Sequence, residues 1–166
     1  MTLQVVDEYI KDKPEAPVDR SYQAIVLSTK EMIDKYWAQS VPLFERCLET
    51  MHGEATVDDI YTQALQGQMF LIVIKNDETE IPDVKISIAL QLVYYPQYTA
   101  MSVVAMGGRD LKKCLKDHWE DILGWARVCG VTRMETSVAP AMERIMTKAT
   151  GFERKYVQLE QKLSEV

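Results

Sequence analysis

The chain has 166 residues, 47% hydrophobic and 27% charged, enough to bury a sizeable core in one soluble globular domain. Its net charge of −6 argues against broad binding to nucleic acid and leaves room only for a local basic patch. No run is apolar for the length of a membrane span, MTLQVVDEYIKDK lacks the form of a signal peptide, and Cys47, Cys114 and Cys129 have no CxxC spacing for a disulfide framework or zinc site, which suits a reducing cytoplasm.

Residues 1–22 read as an N-terminal arm or linker, because KDKPEAPVDR (11–20) is rich in charge and proline. The domain proper is expected over 23–163, with 164–166 a tail. QAIVLS (23–28) has the composition of a short strand. From Glu31 to Met51, the residues Ile33, Tyr36, Trp37, Phe44, Leu48 and Met51 keep helical spacing, and Pro42 predicts a kink or a split into two helices. TVDD at Thr56 resembles a capping box that opens a second helix, with Val57, Ile60, Tyr61, Ala64 and Leu65 as its stripe and Gly67 as its stop.

MFLIVIK (69–75), VKISIALQLVYY (84–95) and AMSVVAM (100–106) are apolar, partly β-branched runs joined by the polar turns NDETEIPD and PQYT. They predict an antiparallel meander. Gly107-Gly108 follows and reads as a tight turn. The next helix has an apolar face of Leu111, Cys114, Leu115, Trp119, Ile122, Ala126 and Cys129, and it ends at Gly130. VTRMETSV (131–138) predicts a strand in a parallel crossover, 140–149 a short helix closed by Gly151, and Tyr156, Val157 and Leu159 a last short strand. The fold class is therefore α/β: a mixed, mostly antiparallel sheet with helices on both faces.

The glycine pair raises a chemical question, since Arg109, Lys112, Lys113 and Lys116 crowd a helix start that is already positive. One reading is a solvated face, because Lys112 and Lys116 lie opposite the Leu111–Leu115 stripe. The other is an anion site. The three cysteines read as small core residues. Trp119 reads as core, whereas Trp125, off the stripe, either packs on a sheet edge or offers a partner surface. His118 falls at the edge of the stripe and His52 after a helix end, and no spacing supports a metal.

The order of elements, together with ILGWARVCGVTRMETSV and KATGFERKYVQLEQKL, resembles the GNAT superfamily of N-acetyltransferases. TVDDIYTQALQGQMFLIVIK and ILGWARVCG further resemble the short acetyltransferase-like proteins of tailed bacteriophages, the internal virion protein A group. The resemblance implies acetyl-CoA bound between two splayed parallel strands, with Val104, Ala105, Met106, Gly107, Gly108, Arg109 and Asp110 along the cofactor and Lys112 and Lys113 as countercharge. It implies an acceptor side at Tyr94, Tyr95 and Tyr98. AMGGRD departs from the family's phosphate-loop signature, the fourth strand has no carboxylate, and Thr147 stands where the family has a catalytic tyrosine. Glu135 and Tyr156, with Tyr94 or Tyr95, are the substitutes for acid–base work.

These departures favour a degenerate, non-catalytic binding or virion-associated protein. It would act through a host protein or virion component, in the host cytoplasm or in the particle, without nucleic acid, membrane or metal. The alternative is an acetyl-CoA-dependent N-acyltransferase acting on an amine of a small molecule or protein.

Overall fold

In the computed structural model, residues 20–164 are described. All of the expected arm before Arg20, and residues 165 and 166 of the tail, lie outside the described residues.

The apolar runs pair into one sheet. Strands β1 (Gln23–Val26), β2 (Phe70–Asn76), β3 (Asp83–Tyr94) and β4 (Thr99–Gly108) are antiparallel neighbours in chain order. Strand β5 (Arg133–Thr136) adds to β4 in parallel. The helices are α1 (Lys30–Leu48), α2 (Val57–Leu65), α3 (Leu111–Val128) and α4 (Pro140–Thr150). The parallel pair is joined through α3, as parallel strands require a crossover.

Both faces of the sheet are covered, which explains why β2 reads as a continuous apolar run instead of an alternating one. Ile72 and Ile74 turn to one face and pack with Ile86, Ile88, Leu90 and the α3 side chains Leu115, Trp119 and Ile122. Leu71 and Val73 turn to the other and meet Ile33, Tyr36, Leu43 and Phe44 of α1 and Ile60 of α2. Each fully buried Ile or Leu contributes about 1.5–3 kcal/mol. One polar contact crosses the second layer: the Ser87 hydroxyl of β3 donates to Ser40 Oγ of α1 at 2.8 Å, with both residues buried.

Local signals account for the helix ends. Thr29 caps α1 by accepting from the Met32 N–H. Thr56 and Asp59 form a full capping box on α2, and Gly67 (φ +73°), Gly130 (φ +82°) and Gly151 (φ +81°) take left-handed conformations after α2, α3 and α4. Among the described residues no helix is long and apolar enough to cross a membrane.

The structure corrects four expectations and decides a fifth. Helix α1 runs through Pro42 as a single element, because Tyr36, Ser40, Leu43 and Phe44 are seated on the sheet on both sides of the missing hydrogen bond. Gly107 and Gly108 lie inside β4, opposite Ser87 and Ile86, and not in a turn. Cys129 is exposed, since the stripe ends with the helix at Val128. Of the two readings of Trp125, the structure supports packing on the sheet: its ring lies edge-on against Phe70 of β2 with centroids 5.3 Å apart. Tyr156, Val157 and Leu159 form no strand, for want of a partner strand among the described residues.

Candidate functional site between two parting strands

Strands β4 and β5 are paired over a short distance, from Ala100 opposite Arg133 to Val103 opposite Thr136. Strand β4 then continues to Gly108, while the chain beyond Thr136 leaves the sheet for α4. The parting coincides with a bulge. Leu90 faces Val103 and Ala89 faces Ala105, which leaves Val104 without an opposite number in β3. An extra residue bends its strand and increases the local twist. The Thr136 hydroxyl donates to the Val103 carbonyl at 3.0 Å and closes the last paired position. From Val104 onward the main chain of β4 has no strand beside it on the β5 side among the described residues.

At the far end of this gap α3 begins. Its N-cap, Asp110, is left-handed (φ 53°, ψ 41°) and makes no side-chain capping bond. The Cys114 N–H closes the first turn on the Asp110 carbonyl at 3.0 Å, and the Arg109 N–H is taken by the Lys85 carbonyl at 2.9 Å. No acceptor among the described residues is shown for the main-chain N–H groups of Asp110, Leu111 and Lys112. Such donors at the positive end of a helix suit an anion.

The expected countercharges are partly engaged. The Arg109 guanidinium pairs with Asp83, whose carboxyl the Tyr22 hydroxyl and Arg109 together hold below its usual range. Lys113 pairs with Asp117 at 2.7 Å, while Lys112 and Lys116 are exposed. A pocket of only about 30 Å³ lies under this helix start, lined by Tyr22, Lys85, Cys114 and His118 among others; it is the size of a water. Burial pushes the Cys114 thiol up to about 11, so it is no nucleophile.

The glycines have a reason other than room for a phosphate. A Cβ on Gly107 would stand 2.0 Å from the Leu43 carbonyl oxygen of α1. One on Gly108 would stand 2.3 Å from the Lys85 carbonyl oxygen and 2.7 Å from Ile86 Cγ1. The pair lets α1 and β3 come close to β4. Met106 and Ala105 point into the two cores.

Along the β4–β5 pair itself, from Arg133 at its start to Glu135 one position before its last, the structure gathers residues that are far apart in sequence. Glu135, opposite Ser102, accepts the Tyr95 hydroxyl on both carboxylate oxygens, at 2.9 and 3.0 Å. That bond, with burial behind it, pushes the Tyr95 phenol up to about 12. The Tyr95 N–H donates to the Tyr98 carbonyl at 2.9 Å, and the two rings lie 4.9 Å apart. The Arg133 guanidinium lies 3.9 Å from the Tyr98 ring centre. Lys155 Nζ donates to the Tyr98 hydroxyl at 3.2 Å, which holds this amine charged to a higher pH than usual.

Of the residues expected from sequence, Glu135, Tyr95 and Tyr98 come together. Tyr156 adjoins them, its ring 5.4 Å from Lys155 Nζ, but it is 68% exposed. Tyr94 stands apart at 76% exposed. The Thr147 hydroxyl donates to the Arg144 carbonyl of its own helix at 3.2 Å. Arg133, Thr136 and Lys155 were not expected. The register that sets Arg133 beside Ala100 brings Arg133 and Thr136 here, and the chain after α4 brings Lys155.

The sequence matches no protein-family model and no curated protein sequence. Solved structures do resemble it. An aminoglycoside acetyltransferase from an uncultured soil metagenomic sample, in complex with sisomicin, superposes with a TM-score of 0.65 at 11% identity, over 89% of this chain and 100% of that one. A GNAT family acetyltransferase of Staphylococcus aureus gives 0.59 at 8% identity, over 86% and 98%. Glucosamine-6-phosphate N-acetyltransferase from Arabidopsis thaliana gives 0.58 at 10% identity, over 86% and 99%. With its antiparallel strands β1–β4, parallel β5 and helices on both faces, this chain has the fold of the GNAT acetyltransferases.

Proposed function

We propose that the protein is an acetyl-CoA-dependent N-acyltransferase acting on a primary amine. The observation that carries this reading is the parting of β4 from β5 after Val103, beside a helix start whose donors Asp110, Leu111 and Lys112 have no acceptor among the described residues. Acetyl-CoA supplies the activated acetyl thioester when bound. The N–H groups at the start of α3 fit its pyrophosphate, with Lys112 adding charge. Arg109 sits in a partly exposed pair with Asp83, worth at most about 1 kcal/mol, and can turn to a phosphate at small cost. The β4 main chain beyond Val104 offers strand-type pairing to the pantetheine arm.

Glu135 is the group suited to receive the proton of an ammonium. Its carboxylate is half-buried one residue short of the end of the β4–β5 pairing, and Tyr95 orients it through both oxygens. Tyr95 holds its own proton to about 12 and so serves as a positioning residue, not as an acid. The remaining rate enhancement comes from orientation and fixed main-chain dipoles. Two of the similar structures, the aminoglycoside acetyltransferase and the glucosamine-6-phosphate N-acetyltransferase, are named for amine substrates. Amino sugars therefore head the list of acceptors to try, ahead of protein lysines.

A second reading, a non-catalytic binding protein of the phage type acting on a host or virion partner, is favoured by Thr147, which is tied into α4 where the family places an acidic tyrosine. Thiol release from acetyl-CoA over a panel of sisomicin, glucosamine-6-phosphate and a lysine peptide decides between the two. The enzyme reading expects turnover that Glu135→Gln lowers by about 10²-fold or more. No turnover with any amine, and no acetyl-CoA binding, leaves the binding protein.

A further inference from the structure

Strand β5 carries a cation and a carboxylate on one face. Arg133 and Glu135 are two residues apart in an extended strand, so both side chains leave the same side of the sheet, from Cα atoms about 7 Å apart. Met134 between them turns to the other side and packs against the layer under α3. Glu135 is half-buried and bonded to Tyr95. Arg133 is exposed, with its guanidinium 3.9 Å from the Tyr98 ring centre. Lys155 reaches the same ring from outside the sheet. Its Nζ donates to the Tyr98 hydroxyl at 3.2 Å and stands 5.9 Å from the ring centre.

Two like charges gathered on one ring repel each other unless an anion joins them. Among the described residues neither Arg133 nor Lys155 forms an ion pair with a carboxylate. Glu135 helps to hold Lys155 charged but makes no ion pair with it. A guanidinium on an aromatic face still presents its edge N–H groups, whose fork matches a carboxylate or phosphate. The cluster is also built into the fold. The Tyr95 N–H fixes the Tyr98 carbonyl across their turn at 2.9 Å. Phe152 packs on Trp119 with centroids 5.6 Å apart, and Arg154 makes two 2.8 Å bonds to Glu143, so the chain delivers Lys155 from an anchored approach. One carboxylate between two cations leaves this place locally positive in a chain of net charge −6.

We infer that Arg133 and Lys155, seated on Tyr98, form a subsite for an oxyanion, and that the acceptor is a small amine which also carries a carboxylate or a phosphate. The amino group meets Glu135, while the oxyanion meets the two cations at the start of β5. The amine end rests on the transferase reading above; the oxyanion end rests on the cluster alone. A polycationic aminoglycoside such as sisomicin brings surplus positive charge to Arg133 and Lys155 and is disfavoured.

Two matched pairs of amines test this: glucosamine 6-phosphate against glucosamine for a phosphate, and 4-aminobutyrate against its amide for a carboxylate. Thiol release from acetyl-CoA gives kcat/KM for each, and calorimetry gives Kd without any chemistry. In at least one pair the oxyanion-bearing amine should be preferred by about 10–100-fold, the worth of a hydrogen bond between charged groups. That preference should shrink as salt is raised. Arg133→Gln and Lys155→Gln should each lower it about tenfold or more, whereas Arg133→Lys, which keeps the charge without the fork, should retain part of it. Circular dichroism checks that each variant is folded. Equal kcat/KM and equal Kd within both pairs overturn the subsite and leave the transferase reading standing. A preference that survives both Gln variants overturns it too, as does binding of none of the four amines. A binding preference that the variants abolish, without thiol release from any amine, sustains the subsite and overturns the transferase reading instead.

Discussion

Replacing Gly107 by alanine tests why the end of β4 is glycine. The new Cβ would sit 2.0 Å from the Leu43 carbonyl oxygen and 2.8 Å from its carbon, so helix and strand must separate by about 1 Å to reach even a tight contact. Neither obstacle is the end of a flexible side chain. Leu43 lies within α1, whose Leu43 and Phe44 are core residues, and Gly107 is paired to Ser87 in the centre of the sheet. Overpacking costs about 1–3 kcal/mol, and rigid backbone on both sides puts this case near the upper end, about 3 kcal/mol. At about 2–4 °C per kcal/mol for a chain of this size, Tm should fall by about 6–12 °C. Gly124→Ala is the internal control. It lies within α3 with nothing inside 4 Å of its Cβ position, and alanine gains about 0.5–1 kcal/mol in a helix, so Tm should rise by about 1–4 °C. Melting curves by calorimetry read both. A Gly107→Ala protein that melts within about 2 °C of wild type would refute the close seating of α1 on β4.

Ser40→Ala and Ser87→Ala should each cost about 1–3 kcal/mol, because each strands a buried hydroxyl, while the double variant should be close to wild type; a double-mutant cycle in urea measures this. Ultraviolet titration should find a phenol ionising near pH 12, belonging to Tyr95, and in Glu135→Gln it should move down toward the ordinary tyrosine range near about 10. The sign for stability follows. The folded pKa lies above the unfolded one, so the Tyr95 contribution is complete below about pH 10 and is lost as pH rises toward 12. The stability difference between wild type and Tyr95→Phe should therefore shrink across that window and stay constant below it.

Where short-range chemistry decides an element, the sequence is legible. Thr56 with Asp59 marks the start of α2, the Cys114–Leu115–Trp119–Ile122 stripe marks α3, and Gly130 and Gly151 mark helix ends. Legibility fails where a distant residue decides. Gly107 and Gly108 look like punctuation, and their purpose depends on Leu43 and Lys85, which only the packed sheet brings near. Pro42 has the chemistry of a break, but α1 is held by its contacts on both sides of it. Tyr95, Tyr98 and Glu135 were each visible as candidates, yet their meeting is a matter of register between β4 and β5, and neither Lys155 nor Arg133 has a local signature that points there. Tyr156, Val157 and Leu159 have the composition of a short strand, but no strand among the described residues pairs with them.

Binding of acetyl-CoA, followed by hydrogen exchange over Val104–Lys112, tests the slot between β4 and β5 most directly. The account predicts saturable binding at one site per chain and slowed exchange confined to the end of β4 and the start of α3. At a hundred times Kd the stabilisation should be about 2.7 kcal/mol, or about 5–11 °C in Tm. Unchanged exchange there and an unmoved Tm at millimolar acetyl-CoA would contradict it.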